Sequence, residues 1–369
     1  MIYKIINCNP DLYEHETEKQ AALSNIIQSH KNRNNIVICD NEIMKRVISS
    51  PLYMQHTKIT ANEIIESHRE YIGASKSLET LTFIDFSTTN EISREKDSQD
   101  KITISYNFFV DFEYVSPTIF LAENTIDVKF YTHIAKLYSK CISGVNLDVK
   151  FRPFNGNGSG ISLHIEEFNE AKKVCLCFVD SDLHHPKGPR GTTSSNINLK
   201  KLEDSKTCKV VITHMQEAES YIPLKLLEEI IVDKKMPAKI IDAFDSLNNV
   251  CTSHSNVRDF FDHKKGITLC KAKNLDNAHG NFWVAKLKDI PDFARSNCLK
   301  NGECEDVHNC PKLDGFGDDI LKIAVEKLDT YNLKTLFSQL TEKERDSWAH
   351  IGRTIVSWGC TPVGRASRS

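Results

Sequence analysis

From Ser116 to Lys235 the chain alternates apolar and amphipathic segments, and this pattern limits its fold more than any other feature. Four segments have the length and composition of buried strands: PTIFLAE, LDVKFRPF, VCLCFVDSD and CKVVITH. Helical periodicity follows the first, second and fourth of them, with Ile126, Phe130 and Ile134 on one stripe of the first helix. Strands alternating with helices predict an α/β fold with a largely parallel sheet, covered on both faces and connected by right-handed crossovers.

The regions on either side of this series differ from it, and 369 residues are too many for one ordinary core. We predict three domains. Residues 1–112 form an N-terminal α/β domain with a regulatory or recognition role. Residues 113–240 form the parallel-sheet domain, and residues 241–369 form a mixed, mainly helical region that contains cysteines. Its last helix begins with the capping-box pair Thr341 and Glu344.

Composition indicates a globular protein with no membrane partner. The apolar fraction is 40% and the charged fraction is 26%, as in ordinary soluble domains. No apolar run approaches the roughly 20 residues that a membrane helix needs. The first residues turn polar too soon for a secretory signal, so we expect a cytoplasmic protein. A net charge of -3 means that contact with nucleic acid needs local basic patches.

Acidic side chains follow three of the four predicted strands. In an open parallel sheet, ligands bind beyond the carboxyl ends of the strands, so we expect these acids to meet at one edge. Their mutual repulsion would raise their pKa values unless cations balance them, and Mg²⁺ or Mn²⁺ prefers such oxygen ligands. The predicted metal ligands are Glu123, Asp127, Asp180, Asp182, Glu217 and Glu219.

Each of these acids also has an ordinary explanation, because Asp and Glu after strands often serve as turn residues or helix caps. The case for metal binding is strongest for Asp180 and Asp182. A buried strand fixes their position, and their i, i+2 spacing points both side chains to one side of that strand.

The order of the acidic elements resembles that of the TOPRIM domain of topoisomerases, primases and OLD-family nucleases. LAENTIDVKFY resembles the E-G-x-x-D-x-x-F-Y opening of that family, with Asn124 in place of the glycine. Asparagine tolerates left-handed backbone angles better than most residues, which would preserve the turn. FVDSD matches the family's DxD element. QEAESYIP resembles the E-x-E-x-Y element of OLD-like nucleases and their relatives in bacterial anti-phage systems.

This resemblance, which covers about a third of the chain, implies a TOPRIM-like Rossmannoid sheet and a metal-dependent nuclease that hydrolyses DNA or RNA, with a role as an anti-phage defence effector. It implies catalytic roles for Glu123, Asp180, Asp182 and Glu219, with Glu123 as a general acid or base. OLD-like relatives commonly work with an ATPase. This sequence has no Walker A motif, so a sensor or ATPase partner would be a separate chain.

Two further segments offer candidate binding residues. In the loop LHHPKGPRG, Lys187 and Arg190 follow the DxD element and would contact a phosphate backbone, unless the loop is simply solvated. Near the C-terminus, four thiol or imidazole side chains within thirteen residues would suit tetrahedral Zn²⁺. Reduced cysteines are the ordinary interpretation, because the spacing is not C-x₂-C. The candidate zinc ligands are Cys298, Cys304, His308 and Cys310.

Two other functions account for part of the pattern. A glycosyltransferase would use a DxD-bound metal to hold a nucleotide-sugar, but it leaves Glu123 and the QEAES element without a task. A TOPRIM-like module without catalysis would bind nucleic acid or a partner protein. The sequence leaves open the choice between DNA and RNA, the sequence preference, the activation mechanism and the oligomeric state.

Overall fold

The computed structural model describes residues 1–197, 199–254, 256–296 and 310–364. Within them the chain forms two compact units, each assembled from separate segments. The first unit draws on Met1–Cys177, Asn198–Val210 and Asp346–Ser369, and the second on Phe178–Ile197 and Val211–Arg345. The predicted division at residues 112 and 240 stays a prediction.

The first sheet of the first unit has the strand order β2-β1-β3-β5-β4. Strand β1 lies parallel to both β2 and β3, with Tyr3 opposite Val37 and Thr82. Strand β5 is parallel to β3, and β4 is antiparallel to β5. The strands are β1 (Ile2–Ile6), β2 (Ile36–Ile38), β3 (Thr80–Asp85), β4 (Ile92–Glu95) and β5 (Asp100–Ser105).

Amphipathic helices connect the strands of this sheet. Asp40 caps the second helix, where its Oδ1 accepts a hydrogen bond of 3.0 Å from the backbone N–H of Glu42. Asp40 therefore has a helix-capping role. The α-helices are α1 (Thr17–Lys31), α2 (Asn41–Ser49) and α3 (Gln55–Ser75), and the 3₁₀ turns are Pro10–Leu12 and Tyr106–Phe109.

The second sheet has the strand order β10-β9-β6-β8. Strand β6 pairs in parallel with β8 and β9, and Leu121 lies opposite Phe154 and Cys177. The prediction of an α/β fold with a largely parallel sheet is thus confirmed. The strands are β6 (Ile119–Ala122), β8 (Arg152–Asn155), β9 (Cys175–Val179) and β10 (Cys208–Ile212).

The segment LDVKFRPF, predicted as one strand, forms two. Its first part pairs antiparallel with a C-terminal strand, and only its second part joins β6. Between them, Lys150 donates its backbone N–H to the carbonyl of Gly359 over 2.9 Å. The two antiparallel partners are β7 (Asp148–Val149) and β13 (Cys360–Thr361).

The remaining helices of the first unit cover this sheet. Trp348 and Trp358 are fully buried, and the ring of Trp348 meets Phe130 edge to face at 6.1 Å. These helices are α4 (Thr125–Leu137), α5 (Ile161–Glu170), α7 (Leu199–Glu203) and α15 (Glu342–Gly359). A π-helical turn (Tyr138–Ile142) continues α4, and a 3₁₀ turn (Gly158–Gly160) precedes α5. The first residues of α15 belong to the second unit.

A buried ion pair joins distant segments of the first unit. The guanidinium of Arg94 contacts both carboxylate oxygens of Asp100 and lies 5.7 Å from the centre of the Trp358 ring. It also donates to the carbonyl oxygens of Ser205 and Cys208, at 2.9 and 2.8 Å. Because the Arg94 side chain donates to both carbonyls, the β4–β5 hairpin holds the segment that leads into β10.

The second unit is mainly helical in its described residues, with one antiparallel pair, β11 (Gly266–Thr268) and β12 (Lys312–Asp314). Its core contains the rings of Trp283, Phe261 and Phe316. The α-helices are α6 (Thr192–Ser195), α8 (Leu224–Asp233), α9 (Ala238–Ser253), α10 (Leu269–His279), α11 (Trp283–Leu287), α12 (Pro291–Ala294), α13 (Ile320–Leu328) and α14 (Leu333–Gln339), and the 3₁₀ turns are Ala218–Tyr221 and Arg258–Phe260.

Across the part of the chain that the structure describes, no helix combines the length and the apolar character that crossing a bilayer requires.

The end of α15 gives a test of packing in the first unit. A Cβ at Gly359 would lie 2.1 Å from a ring carbon of Phe151, whereas a Cβ at Gly73 in α3 would meet nothing within 4 Å. We expect Gly359→Ala to lower the free energy of unfolding by about 1–3 kcal/mol. Gly73→Ala should raise it by about 0.5–1 kcal/mol, because alanine favours a helix. Urea unfolding measures both, and equal effects would contradict the packing.

Candidate functional site

Backbone hydrogen bonds within the second unit bring two of the predicted acidic elements together. The backbone N–H of Asp182 donates to the carbonyl of Gln216 over 2.9 Å, and the hydroxyl of Ser181 donates to the carbonyl of Met215 over 2.7 Å. The carboxylate of Asp180 accepts a hydrogen bond of 3.3 Å from the backbone N–H of Ala218. The DxD element therefore lies against the segment that carries Glu217 and Glu219.

Asp182 occupies an unusual backbone conformation. Its φ of 51° is in the left-handed region, so the chain has left the extended geometry of β9 before this residue. The expectation that i, i+2 alternation aligns Asp180 with Asp182 does not apply to such a backbone. Burial raises the pKa of the Asp182 carboxyl, while nearby His184 and Lys264 lower it and Asp262 raises it.

Gly191 closes over the Asp182 side chain. Its backbone N–H donates to the carbonyl of Ser181 over 3.0 Å. A Cβ at this position would lie 2.1 Å from Oδ2 of Asp182, which no side chain could occupy without a shift. Glycine is therefore required here by the close approach of the loop to the carboxylate.

Glu217 and Glu219 are buried, and one ammonium group lies between them. Nζ of Lys264 is 3.1 Å from Oε2 of Glu217 and 3.2 Å from Oε1 of Glu219. Oε1 of Glu217 also accepts a hydrogen bond of 2.6 Å from the backbone N–H of His263. The side chains of the two glutamates are 7% and 5% exposed, and that of Lys264 is 33% exposed.

Burial and the neighbouring charges shift the pKa values of Glu217 and Lys264. Burial and the neighbouring Glu219 raise the pKa of Glu217 to about 7, although Lys264 acts in the opposite direction. Burial lowers the pKa of Lys264, but Glu219 and Glu217 outweigh it and leave that pKa raised. Asp262 adds a further carboxylate whose charge raises the pKa of both Glu217 and Asp182.

A buried network supports the backbone next to Lys264. The ring of His263 donates from Nδ1 to the carbonyl of Phe261 over 2.9 Å and accepts at Nε2 from Nε of Arg258 over 3.3 Å. Burial and Arg258 hold the pKa of His263 well below its ordinary value, so this imidazole is neutral. Arg258 in turn donates to Oε1 of Glu344 over 3.1 Å.

The loop after the DxD element is anchored at its start. Nε2 of His185 donates to the carbonyl of Gly280 over 2.9 Å, and its Nδ1 accepts from the backbone N–H of Lys187 over 3.1 Å. Nε1 of Trp283 donates to the carbonyl of His184 over 2.7 Å. Both ring nitrogens of His185 are therefore engaged, whereas the side chains of Lys187 and Arg190 are exposed.

The other two predicted ligands, Glu123 and Asp127, belong to the first unit. Glu123 follows β6 and lies near enough to Cys177 that its charge raises the pKa of that buried thiol, after the larger effect of burial. Asn124 has a φ of −144° rather than a left-handed angle, and its Oδ1 accepts from the backbone N–H groups of Ile126 and Asp127. Oδ2 of Asp127 accepts from the backbone N–H of Asn124 over 2.9 Å, completing a capping box.

That capping box gives Asp127 a structural role that needs no metal. The meeting of Glu123 with the acids of the second unit stays a prediction.

Three of the four candidate zinc ligands, Cys298, Cys304 and His308, lie outside the described residues. Sγ of the fourth, Cys310, accepts a hydrogen bond of 3.2 Å from the backbone N–H of Cys270.

The donor types around Lys264 suit a hard cation, because they are carboxylate oxygens. Within residues 1–197, 199–254, 256–296 and 310–364, however, no group of three or more His, Cys, Asp or Glu side chains is arranged to hold a metal ion. The sequence interpretation missed Asp262, His263 and Lys264. Their segment DHKKG has the composition of a solvated charge run, and its alternation of acid and base gave no sign of a buried contact.

Comparison of the chain with protein-family models, with curated proteins and with solved structures finds no match.

The contact between Gly191 and Asp182 is open to a double-mutant test. We expect Gly191→Ala to lower the free energy of unfolding by about 1–3 kcal/mol, because the new methyl group overlaps the carboxylate. In an Asp182→Gly background the overlapping atoms are gone, so the same change should cost less. Gly160→Ala is the control, since its Cβ would meet only the His164 ring at 3.8 Å. Equal costs of Gly191→Ala in both backgrounds would show that the two residues do not meet.

The raised pKa of Glu217 predicts a pH-dependent stability. The folded chain binds this proton with a pKa of about 7, against an ordinary value of 4.5, so stability is lost as the pH rises between these values. Relative to wild type, Glu217→Gln should become more stable between pH 5 and 8, by on the order of 3 kcal/mol. Urea unfolding in chelator measures this, with Glu326→Gln at an exposed position as control. A difference from wild type that is independent of pH contradicts the assignment.

Proposed function

We propose that this chain is a divalent-cation-dependent phosphodiester hydrolase, that is, a nuclease. The observation that supports the proposal is the assembly of the DxD element and the glutamate pair through backbone hydrogen bonds within one compact unit. Elements far apart in the sequence thus bring buried carboxylates close to one another, and burial and Glu219 raise the pKa of Glu217. Hard cations are the usual means of balancing such a cluster in a protein.

In this proposal Asp180, Asp182, Glu217 and Glu219 hold Mg²⁺ or Mn²⁺. The bound ion would lower the pKa of a water molecule and stabilise the leaving oxygen. Asp180 accepts a hydrogen bond from the backbone N–H of Ala218, and the Asp182 carboxylate lies close against Gly191. The chain thereby orients the acids before any ion arrives, which reduces the entropy lost on binding.

The loop after the DxD element supplies a candidate surface for the phosphate backbone. Lys187 and Arg190 are exposed, and the hydrogen bonds of His185 and Trp283 hold the start of the loop in place. An anchored loop with exposed cations can contact phosphates without sequence preference. The proposal includes Glu123, which follows β6, as a further acidic residue. Only the order of the sequence motifs supports the TOPRIM resemblance, a defence role and a separate ATPase partner.

A second candidate function has its own observation. Lys264 already forms ion pairs with both Glu217 and Glu219, as expected of a TOPRIM-like module that has lost catalysis and binds nucleic acid or a partner protein. Such a module would bind its ligand without a divalent cation.

A cleavage assay separates the two functions. We expect the purified chain to cut plasmid, single-stranded DNA or tRNA in Mn²⁺ and to be inactive in chelator. Asp180→Asn combined with Asp182→Asn should lower the rate by about a hundredfold or more, because the acids that orient the ion are lost. Asp245→Asn, at an exposed position in α9, is the control. Cleavage that survives the double substitution would exclude this site, and binding without cleavage would favour the second function.

A further inference from the structure

The sequence NGNGSG, which begins with the last residue of β8, contains two asparagine–glycine pairs. They are Asn155–Gly156 and Asn157–Gly158. Because glycine has no side chain, its backbone nitrogen can approach the side-chain amide of the preceding asparagine closely. When that nitrogen attacks the amide carbon, the asparagine loses ammonia. A third pair, Asn301–Gly302, lies outside the described residues.

The first pair is enclosed by its surroundings. The backbone N–H of Gly156 donates to the carbonyl of Ala122 over 2.8 Å, which attaches it to the end of β6. A Cβ at Gly156 would lie 2.8 Å from that carbonyl oxygen and 2.8 Å from Cγ1 of Ile161. The nitrogen that would have to attack Asn155 is therefore engaged in a hydrogen bond, and the packed backbone around it has little room to rotate.

The second pair is open to solvent. Asn157 is exposed, and its φ of 50° and ψ of 46° are left-handed, a conformation that costs a residue with a side chain more than it costs glycine. Gly158 has a φ of 59°, and within the described residues a Cβ there would meet nothing within 4 Å. The peptide group between the two residues therefore has space to rotate toward the Asn157 side chain.

We infer that Asn157 is a site of spontaneous deamidation and that the fold protects Asn155 from the same reaction. The backbone nitrogen of Gly158 forms a bond to Cγ of Asn157, and the bond from Cγ to the side-chain nitrogen breaks. The attacking nitrogen gives its proton to water, and the leaving amide takes one up and departs as ammonia. A water molecule then opens the resulting succinimide at either carbonyl, which gives aspartate or isoaspartate.

Either product changes the turn after β8. Both add a negative charge, and isoaspartate also lengthens the main chain, because the chain then runs through the former side chain. Two hydrogen bonds hold the turn on either side of the inserted carbon atom. Oδ1 of Asn155 accepts from the backbone N–H of Asn157 over 3.0 Å, and the carbonyl of Asn157 accepts from the N–H of Gly160 over 3.5 Å. The isoaspartate form must therefore rearrange this turn.

Peptide mapping of the full chain tests the inference. The purified protein is kept in mildly alkaline buffer with chelator, sampled over several days and digested with trypsin, with a sample taken at the start as the blank. Both asparagines lie on the tryptic peptide that follows Lys150 and ends at Lys172, because trypsin does not cleave between Arg152 and Pro153. Fragment masses assign each site, and an isoaspartyl methyltransferase detects isoaspartate. A parallel sample in urea measures both rates without the fold.

We expect Asn157 to deamidate at least about tenfold faster than Asn155 in native buffer, because reaction at Asn155 must first open the Gly156 hydrogen bond and its packed surroundings. In urea the two rates should converge. Asn157→Gln should leave this peptide almost unmodified, because the larger ring closes slowly. Asn277→Gln, at an exposed asparagine of α10 that alanine follows, is the control and should not change the rate at Asn157.

Three outcomes would overturn the inference. They are equal rates at Asn155 and Asn157 in native buffer, an Asn157 that reacts in urea but stays intact in native buffer, and a difference that persists in urea. The last would show that the neighbouring sequence sets the rates rather than the fold. The measurement involves neither nucleic acid nor a divalent cation, so its result leaves the proposed function unaffected.

Discussion

The central constraint in the second unit is the electrostatic cost of burying several carboxylates together. Glu217 and Glu219 are almost inaccessible to water, and Asp262 and Asp182 add negative charge nearby. Isolated charges in such surroundings are too costly to retain, so a cation or a proton must accompany them. Lys264 supplies one positive charge to both glutamates, and burial together with the neighbouring Glu219 raises the pKa of Glu217 to about 7.

The surrounding structure keeps these acids in place against their repulsion. The neutral ring of His263 links Arg258 to the turn that carries Lys264, and Arg258 pairs with Glu344 at the start of the last helix. Because Gly191 has no side chain, the Asp182 carboxylate has room to lie against the loop.

Features that depend on local pattern were predictable from the sequence. The apolar run before Asp180 forms the buried strand Cys175–Val179, and Thr341 and Glu344 form the expected capping box through hydrogen bonds of 2.9 and 3.3 Å. Contacts between distant segments were not predictable. Nothing in DHKKG indicates that Lys264 would reach Glu219. A left-handed backbone angle at a non-glycine residue such as Asp182 depends on tertiary hydrogen bonds, in this case with Gln216.

The ion pair of Arg94 bears on how the first unit folds. Its guanidinium reaches carbonyl oxygens of Ser205 and Cys208, more than a hundred residues away in the chain. A shortened protein beginning at residue 113 would leave these carbonyls without that donor and would expose the Trp358 ring that Arg94 covers. The amino-terminal sheet is thus not a detachable appendage, because its β4–β5 hairpin supplies hydrogen bonds to the segment that leads into β10.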